Sequence, residues 1–188
     1  NDCIFVGKVV LCFLIAEDKL RGHTTGELDP ITHLPSLESF HRKLDRAMQQ
    51  ARGEHRTLAL LLVGIDDLHG INEDHGIERG DDVLRIVARR LGGALREPEK
   101  AGRLRGGVFG VIAPDLLDGS LLERCEQLRK RIEEATVRPG DPPIAVNVSI
   151  GAAAMLALDR DRLFEAADGA LSRAKQRGSS VERASRDP

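Results

Sequence analysis

The residues best placed to do chemistry lie between Leu58 and Asp82, in the stretch LALLLVGIDDLHGINEDHGIERGDD. Leu58 to Val63 is an apolar run long enough for one buried strand. It gives way to Gly64-Ile65-Asp66-Asp67, polar residues at the point where a buried strand would surface. A polar loop over Asn72 to Gly80 is expected next, with Asp81 capping an amphipathic helix. In open α/β sheets the crevice beyond the carboxyl ends of the strands is where ligands sit, so this stretch is the first place to seek a nucleotide. The other usual chemistries are poorly represented. The six histidines are scattered with no HExxH array. Cys3, Cys12 and Cys125 form no CxxC, and their odd number favours a reducing compartment. Cys125 falls on the apolar face of a predicted helix and reads as a buried thiol.

The elements that must position these residues follow from periodicity. Pro35 and Ser36 open a helix, with Ser36 as N-cap and Glu38 in its first turn; Leu37, Phe40, Leu44 and Met48 form its stripe, and Gly53 stops it. Thr57 to Ile65 is the central strand. The helix over Asp81 to Leu95 carries Leu84, Val87, Ala88, Leu91 and Leu95 at the 3.6 period. Lys100 to Leu104 and Val108 to Ala113 flank Arg105-Gly106-Gly107, which predicts a β-hairpin. Leu121 to Ala135 is a helix with Leu121, Cys125, Leu128 and Ile132 inward, and Val137 to Pro143 is a loop. Ile144 to Ile150 alternates as a strand with two distinct faces. Asp161 to Lys175 is the last helix, with Gly178 ending it, and a short strand follows around Val181. A hairpin inside an otherwise alternating order predicts an α/β (α+β) fold: a mixed central sheet of about five strands with helices on both faces.

Composition bounds the function. With 188 residues, one domain plus a short appendage is expected. A net charge of −2 gives no bulk attraction to nucleic acid or membrane, so no nucleic-acid partner is expected. Aromatics are only 3%, which leaves the core to aliphatic side chains. Cys3 to Ala16 is apolar, too short for a membrane span of about 20 residues, and lacks the marks of a signal peptide. It reads as a buried strand or pair of strands, as the last strand of an upstream domain, or as the clipped end of a transmembrane helix. The expected organisation is an N-terminal strand and polar linker over 1–28, one domain over 29–184 and a tail over 185–188.

Element order and motifs together resemble the GGDEF domain of diguanylate cyclases, over about Asp29 to Gly178. Asp29-Pro30-Ile31-Thr32-His33-Leu34-Pro35 is similar to that family's DxLTGLPNR opening. Ile71-Asn72, Gly76, Gly80-Asp81 and Val83-Leu84 follow in order. Val148-Ser149-Ile150-Gly151, Ala167-Asp168, Ala170-Leu171, Ala174-Lys175 and Gly178 complete the match. The resemblance implies the palm-like fold shared with nucleotidyl cyclases and, as that family's activity, condensation of two GTP into cyclic di-GMP at the interface of two domains. It implies that Asn72 and Asp81 contact guanine, whose edge an amide and a carboxylate can read, and that Lys175 contacts phosphate. Read without the resemblance, Asp81 is a helix cap, Asn72 a loop residue and Lys175 a solvated lysine near a helix end.

The chain departs from the family pattern where the pattern is most chemical. The signature hairpin reads Arg105-Gly106-Gly107-Val108-Phe109, with no carboxylate, and its acidic positions fall on Gly107 and Val108. The family's metal-binding aspartate at the end of the first strand falls on Gly64, leaving Asp66, with Asp67 beside it, as a weak metal candidate. His69 stands for a lysine and Ser179 for an arginine. Attack on an α-phosphate needs Mg²⁺ to neutralise developing charge, and Mg²⁺ needs oxygen ligands. The reading is therefore a non-catalytic GGDEF domain, a cytoplasmic regulatory module that binds GTP or cyclic di-GMP, with Mg²⁺ if GTP is bound. Neighbouring sensor and EAL-type domains, and homodimers, are the partners the resemblance implies. Arg96-Glu97-Pro98-Glu99 stands where members carry an inhibitory RxxD site, so Arg96 and Glu99 are a candidate cyclic di-GMP site; the plainer reading is an Arg–Glu pair at a helix end. Two rivals stay open: a weak cyclase recruiting metal through Asp66 and Asp67, and a protein-contact module that binds no nucleotide.

Overall fold

The computed structural model describes residues 3–6, 9–12, 27–116, 118–134, 136–137, 143–156 and 159–184. Residues 17–26 of the polar linker, residues 138–142 of the loop expected over Val137 to Pro143 and the tail over 185–188 lie outside them. β1 (Cys3–Val6) and β2 (Val9–Cys12) pair antiparallel, in keeping with the reading of a pair of short strands.

The apolar stripe of α1 (Leu37–Glu54) buries Phe40, Leu44 and Met48, and its Ser36 cap accepts from Ser39 N–H. β3 (Leu58–Ile65) is buried at every position, as an unbroken Leu/Val run demands. α2 (Leu68–His75) and α3 (Ile77–Ala94) follow, then the hairpin of β4 (Lys100–Arg105) and β5 (Val108–Pro114). α4 (Asp118–Glu133) leads to a small ladder of β6 (Thr136–Val137) and β7 (Ile144–Ala145). β8 (Val148–Met155), α5 (Arg160–Arg177) and β9 (Val181–Arg183) close the order.

Among the described residues the main sheet has five strands in the order β4-β5-β3-β8-β9. It is mixed, because β9 joins β8 parallel while the other pairs are antiparallel. The alternation of β3 divides the core. Ala59, Leu61, Val63 and Ile65 pack with α3 and α4 on one face. Leu58, Leu60 and Leu62 pack with α1 and α5 on the other. The expected mixed sheet with helices on both faces and a hairpin is the observed fold. α5 lies on β8 so closely that a Cβ on Gly151 would stand 2.0 Å from Leu171 N. Cys125 is fully buried, and burial pushes its thiol pKa up to about 12.

Four local expectations are corrected. Asn72 to Gly80 is not a loop: Asp67 caps α2, Gly76 turns the chain at φ 86°, and α3 starts at Ile77, so Asp81 lies within α3 and caps nothing. Leu68 and Ile71 pack against the core, and that burial outweighs the polar composition. Gly53 lies inside α1, whose end is made by His55 in the left-handed region. The strand expected over Ile144 to Ile150 is divided between β7 and β8 at Val146-Asn147, where Asn147 C=O accepts Asp66 N–H. Ser149 is fully buried on the α5 side of the sheet.

Candidate functional site

At the carboxyl end of β3 four strands contribute one row. Gly64 pairs with Val108 on one side and Ser149 on the other, and Val108 pairs with Arg105 across the hairpin. Directly paired residues share a face, and for Gly64 this is the α5 face. Lys175 of α5 lies over it. A Cβ on Gly64 would stand 2.6 Å from Lys175 Cε and 3.1 Å from Nζ, and Nζ itself donates to Ile65 C=O at 3.4 Å. A side chain at position 64 and Lys175 in this pose exclude each other, so the absence of a Cβ is what lets the lysine cross the strand end. Beside it, Ser149 Oγ is buried without a hydrogen-bond partner among the described residues.

Asn72 and Asp81 lie on either side of the turn from α2 into α3. The Asn72 side chain lies against Gly80: a Cβ there would stand 1.7 Å from Asn72 Oδ1. Asp81, the next residue, faces Arg85 at 3.9 Å. Both sit on the helix pair that leaves the β3 end, with Lys175 approaching that end from the opposite face of the sheet. Asp66 is committed elsewhere: its Oδ2 accepts Ser179 N–H at 3.2 Å. Ser179 Oγ in turn donates to Glu133, whose Oε1 also accepts Val148 N–H at 3.2 Å, and Arg129 bridges Glu133 and Ser179. Asp67 spends its carboxylate on Gly70 N–H.

The hairpin is tied down by its arginines. Arg105 reaches Asp168 on α5 at 2.7 Å, exposed to solvent. Arg103 is better shielded: it binds both oxygens of Asp29 at 3.1 Å and donates to Gly106 C=O from Nε and Nη2 at 3.1 and 3.0 Å. It thus joins the opening turn of the domain to the tip of the hairpin. Asp29 also accepts Thr32 N–H and Oγ1–H. Burial raises its pKa, but the hydrogen bonds from Thr32 and Arg103 outweigh burial and hold it below 3.8.

Arg96 and Glu99 do not form the side-chain pair expected at the helix end. Glu99 is buried, accepting Arg124 Nε at 2.8 Å and Nη2 at 2.5 Å, and its Oε2 also accepts the backbone N–H of Arg96 at 2.8 Å. The Arg96 guanidinium instead donates to Gln127 at 2.8 Å. It lines a cleft of about 420 Å³ with Arg124, Gln127, Lys130, Arg131 and Glu134. Two residues that matter here were not singled out from sequence: Arg124 and Glu133. An arginine and a glutamate on a helix carry no signal for inward rotation, and Ser149, named only within a motif, carries none for burial.

The residues at the β3 end do not fit Mg²⁺. That ion takes near-octahedral oxygen ligands, usually including a carboxylate. The row offers a hydroxyl and a backbone carbonyl, with an ammonium already on that carbonyl and Asp66 engaged by Ser179. Among the described residues no group of three or more His, Cys, Asp or Glu side chains is arranged to hold a metal. No described helix is long and apolar enough to cross a membrane.

Comparison with known proteins places this geometry. Diguanylate cyclase DgcP of Pseudomonas aeruginosa is 30% identical over 151 residues, covering 80% of this chain and 22% of that protein. Diguanylate cyclase DosC of Escherichia coli is 28% identical, covering 86% of this chain and 35% of its own length. The chain therefore spans about a fifth to a third of these relatives. Among solved structures, the GGDEF domain of TpbB (YfiN) from Pseudomonas aeruginosa superposes with a TM-score of 0.78 at 30% identity, covering 84% of this chain and 94% of that one. The GGDEF domain of DgcB from Caulobacter crescentus, solved in complex with c-di-GMP, gives 0.78 at 28%, covering 88% and 98%. Residues 27–181 match the family described as diguanylate cyclase, GGDEF domain, and the chain belongs to that family.

Proposed function

We propose that this is a non-catalytic GGDEF domain that binds a guanine nucleotide, GTP or cyclic di-GMP, and serves as a regulatory module of a longer protein in cyclic di-GMP signalling. The observation that carries the reading is the row Arg105-Val108-Gly64-Ser149, which holds no carboxylate and is crossed by Lys175. Without acidic ligands there is no metal to neutralise charge on a triphosphate during attack, and that electrostatic term is usually the largest in catalysis. The recognition residues Asn72 and Asp81 are retained on the adjoining helices, which supports binding without turnover.

The cleft around Arg96 favours cyclic di-GMP as a second ligand. Arg96, Lys130 and Arg131 line it, and arginine both stacks on guanine and forks onto its O6 and N7. Glu99 contributes there by holding Arg124 and the Arg96 backbone, a positioning role.

Calorimetric titration with GTP and with cyclic di-GMP, alongside chromatographic assay for cyclic di-GMP made from GTP and Mg²⁺, tests the reading. Binding of either nucleotide with no product supports it. Product that disappears in Asp66→Ala would make the protein a weak cyclase instead, and silence toward both nucleotides would leave a protein-contact module.

A further inference from the structure

Lys175 is in an unusual position for a helix-end lysine. Its stem lies across a strand backbone that is bare only because residue 64 is glycine. Its ammonium has three donors, and the one partner among the described residues is the long bond to Ile65 C=O. No described carboxylate pairs with it, although the surface is rich in ion pairs and even the neighbouring Arg177 is bound to Glu182. An exposed cation on a weak acceptor is free to exchange that bond for a stronger one to an anion. Ser149 Oγ, buried and unpartnered in the same row, adds a hydroxyl that lacks its own partner.

We infer that the Lys175 ammonium takes the place of a divalent cation at the end of β3, so that this domain holds the phosphates of a nucleoside triphosphate without metal. The inference rests on the proposed nucleotide binding and states where the positive charge comes from. Three observations converge. The row has no carboxylate to attract a metal; the carbonyl that a hard cation would use already accepts Lys175; and Asp66, the nearest acid in the chain, is turned to the Ser179 N–H. A metal entering here would meet the ammonium at close range with no anionic ligand to offset the repulsion. A phosphate entering would meet a mobile ammonium donor and form a charge-assisted hydrogen bond.

The test is titration of this chain with GTP, once with Mg²⁺ and once with EDTA, followed by the same pair on Lys175→Met, which keeps the apolar stem over Gly64. Affinity in EDTA equal to or tighter than in Mg²⁺ is expected, and Lys175→Met should weaken GTP in EDTA by about tenfold, the effect of one charge-assisted hydrogen bond. Binding that weakens by about tenfold or more on removing Mg²⁺, a factor far beyond titration error, overturns the inference while leaving nucleotide binding intact. Absence of GTP binding in both buffers overturns the inference together with the GTP arm of the reading beneath it, and cyclic di-GMP binding then decides the rest. Electron paramagnetic resonance of added Mn²⁺, without nucleotide, reads the site independently: a free-ion spectrum is expected, and protein-bound Mn²⁺ that is lost in Ser149→Ala overturns the inference. The thermal midpoint of each variant confirms that it is folded.

Discussion

Arg124 and Glu99 form a two-point ion pair, 2.8 and 2.5 Å, in a setting where only 5% and 8% of the two side chains is exposed. Arg124 also donates to Ala94 C=O at 2.8 Å, so the pair clamps the end of α3 and the start of β4 onto α4. Breaking a buried pair by removing one partner is far more costly than its net worth, because the other charge stays buried alone. Arg124→Ala and Glu99→Ala should each lose about 3–5 kcal/mol of stability. Arg96→Ala removes only an exposed bond to Gln127 and should cost under about 1 kcal/mol. Denaturant unfolding separates the cases, and cyclic di-GMP titration of Arg96→Ala then isolates ligand contact from stability.

Gly80 offers a test of guanine recognition that leaves Asn72 itself in place. A methyl there would collide with Asn72 Oδ1, the end of a movable side chain, so Asn72 must swing aside. Gly80 is inside α3, where alanine is favoured over glycine by about 1 kcal/mol. Gly80→Ala should therefore keep or raise the thermal midpoint while weakening GTP as much as Asn72→Ala does. Equal GTP affinity in Gly80→Ala and the unaltered protein would remove Asn72 from the site.

Gly151 is a structural counterpart with the opposite outcome. Its missing Cβ space is filled by backbone, Leu171 N at 2.0 Å and Ala167 O at 2.5 Å, which cannot rotate away. Gly151→Ala should push α5 off β8 and cost about 3 kcal/mol, the upper end of overpacking penalties. Thermal unfolding reads the loss directly. Lys175 rides on α5, so GTP affinity should fall as well.

Asp29 makes stability depend on acidity. Its pKa in the folded protein lies below the ordinary 3.8, so near that value the unfolded chain binds more protons. The contribution is full above pH 3.8 and is lost as pH falls through the depressed folded value. Asp29→Asn removes this term, so its stability curve should be flatter than that of the unaltered protein below about pH 4. Urea midpoints measured from pH 5 to pH 2.5 check the slope.

Much of the fold was legible because it rests on local periodicity. The unbroken run Leu58 to Val63, the stripes of α1, α4 and α5 and the Gly-Gly hairpin each announce their element within a few residues. The polar stretch from Asn72 to Gly80 reads as loop by composition, yet α2 is held by Leu68 and Ile71 docking on a distant core, and the first turn of α3 extends a helix whose apolar face begins only at Val83.

For the site, the sequence by itself determined the inventory: no carboxylate at Gly64, Gly107 or Val108, and an asparagine, aspartate and lysine kept in order. Only the tertiary structure decided what those residues do. Strand register brings Arg105, Val108, Gly64 and Ser149 into one row, helix docking lays Lys175 over its centre, and rotation of α4 buries Arg124 against Glu99. Arg124–Glu99 and Lys175–Ile65 join residues 25 and 110 positions apart. No local pattern encodes them, because direction and burial are set by the packing of whole elements and not by neighbours in the chain.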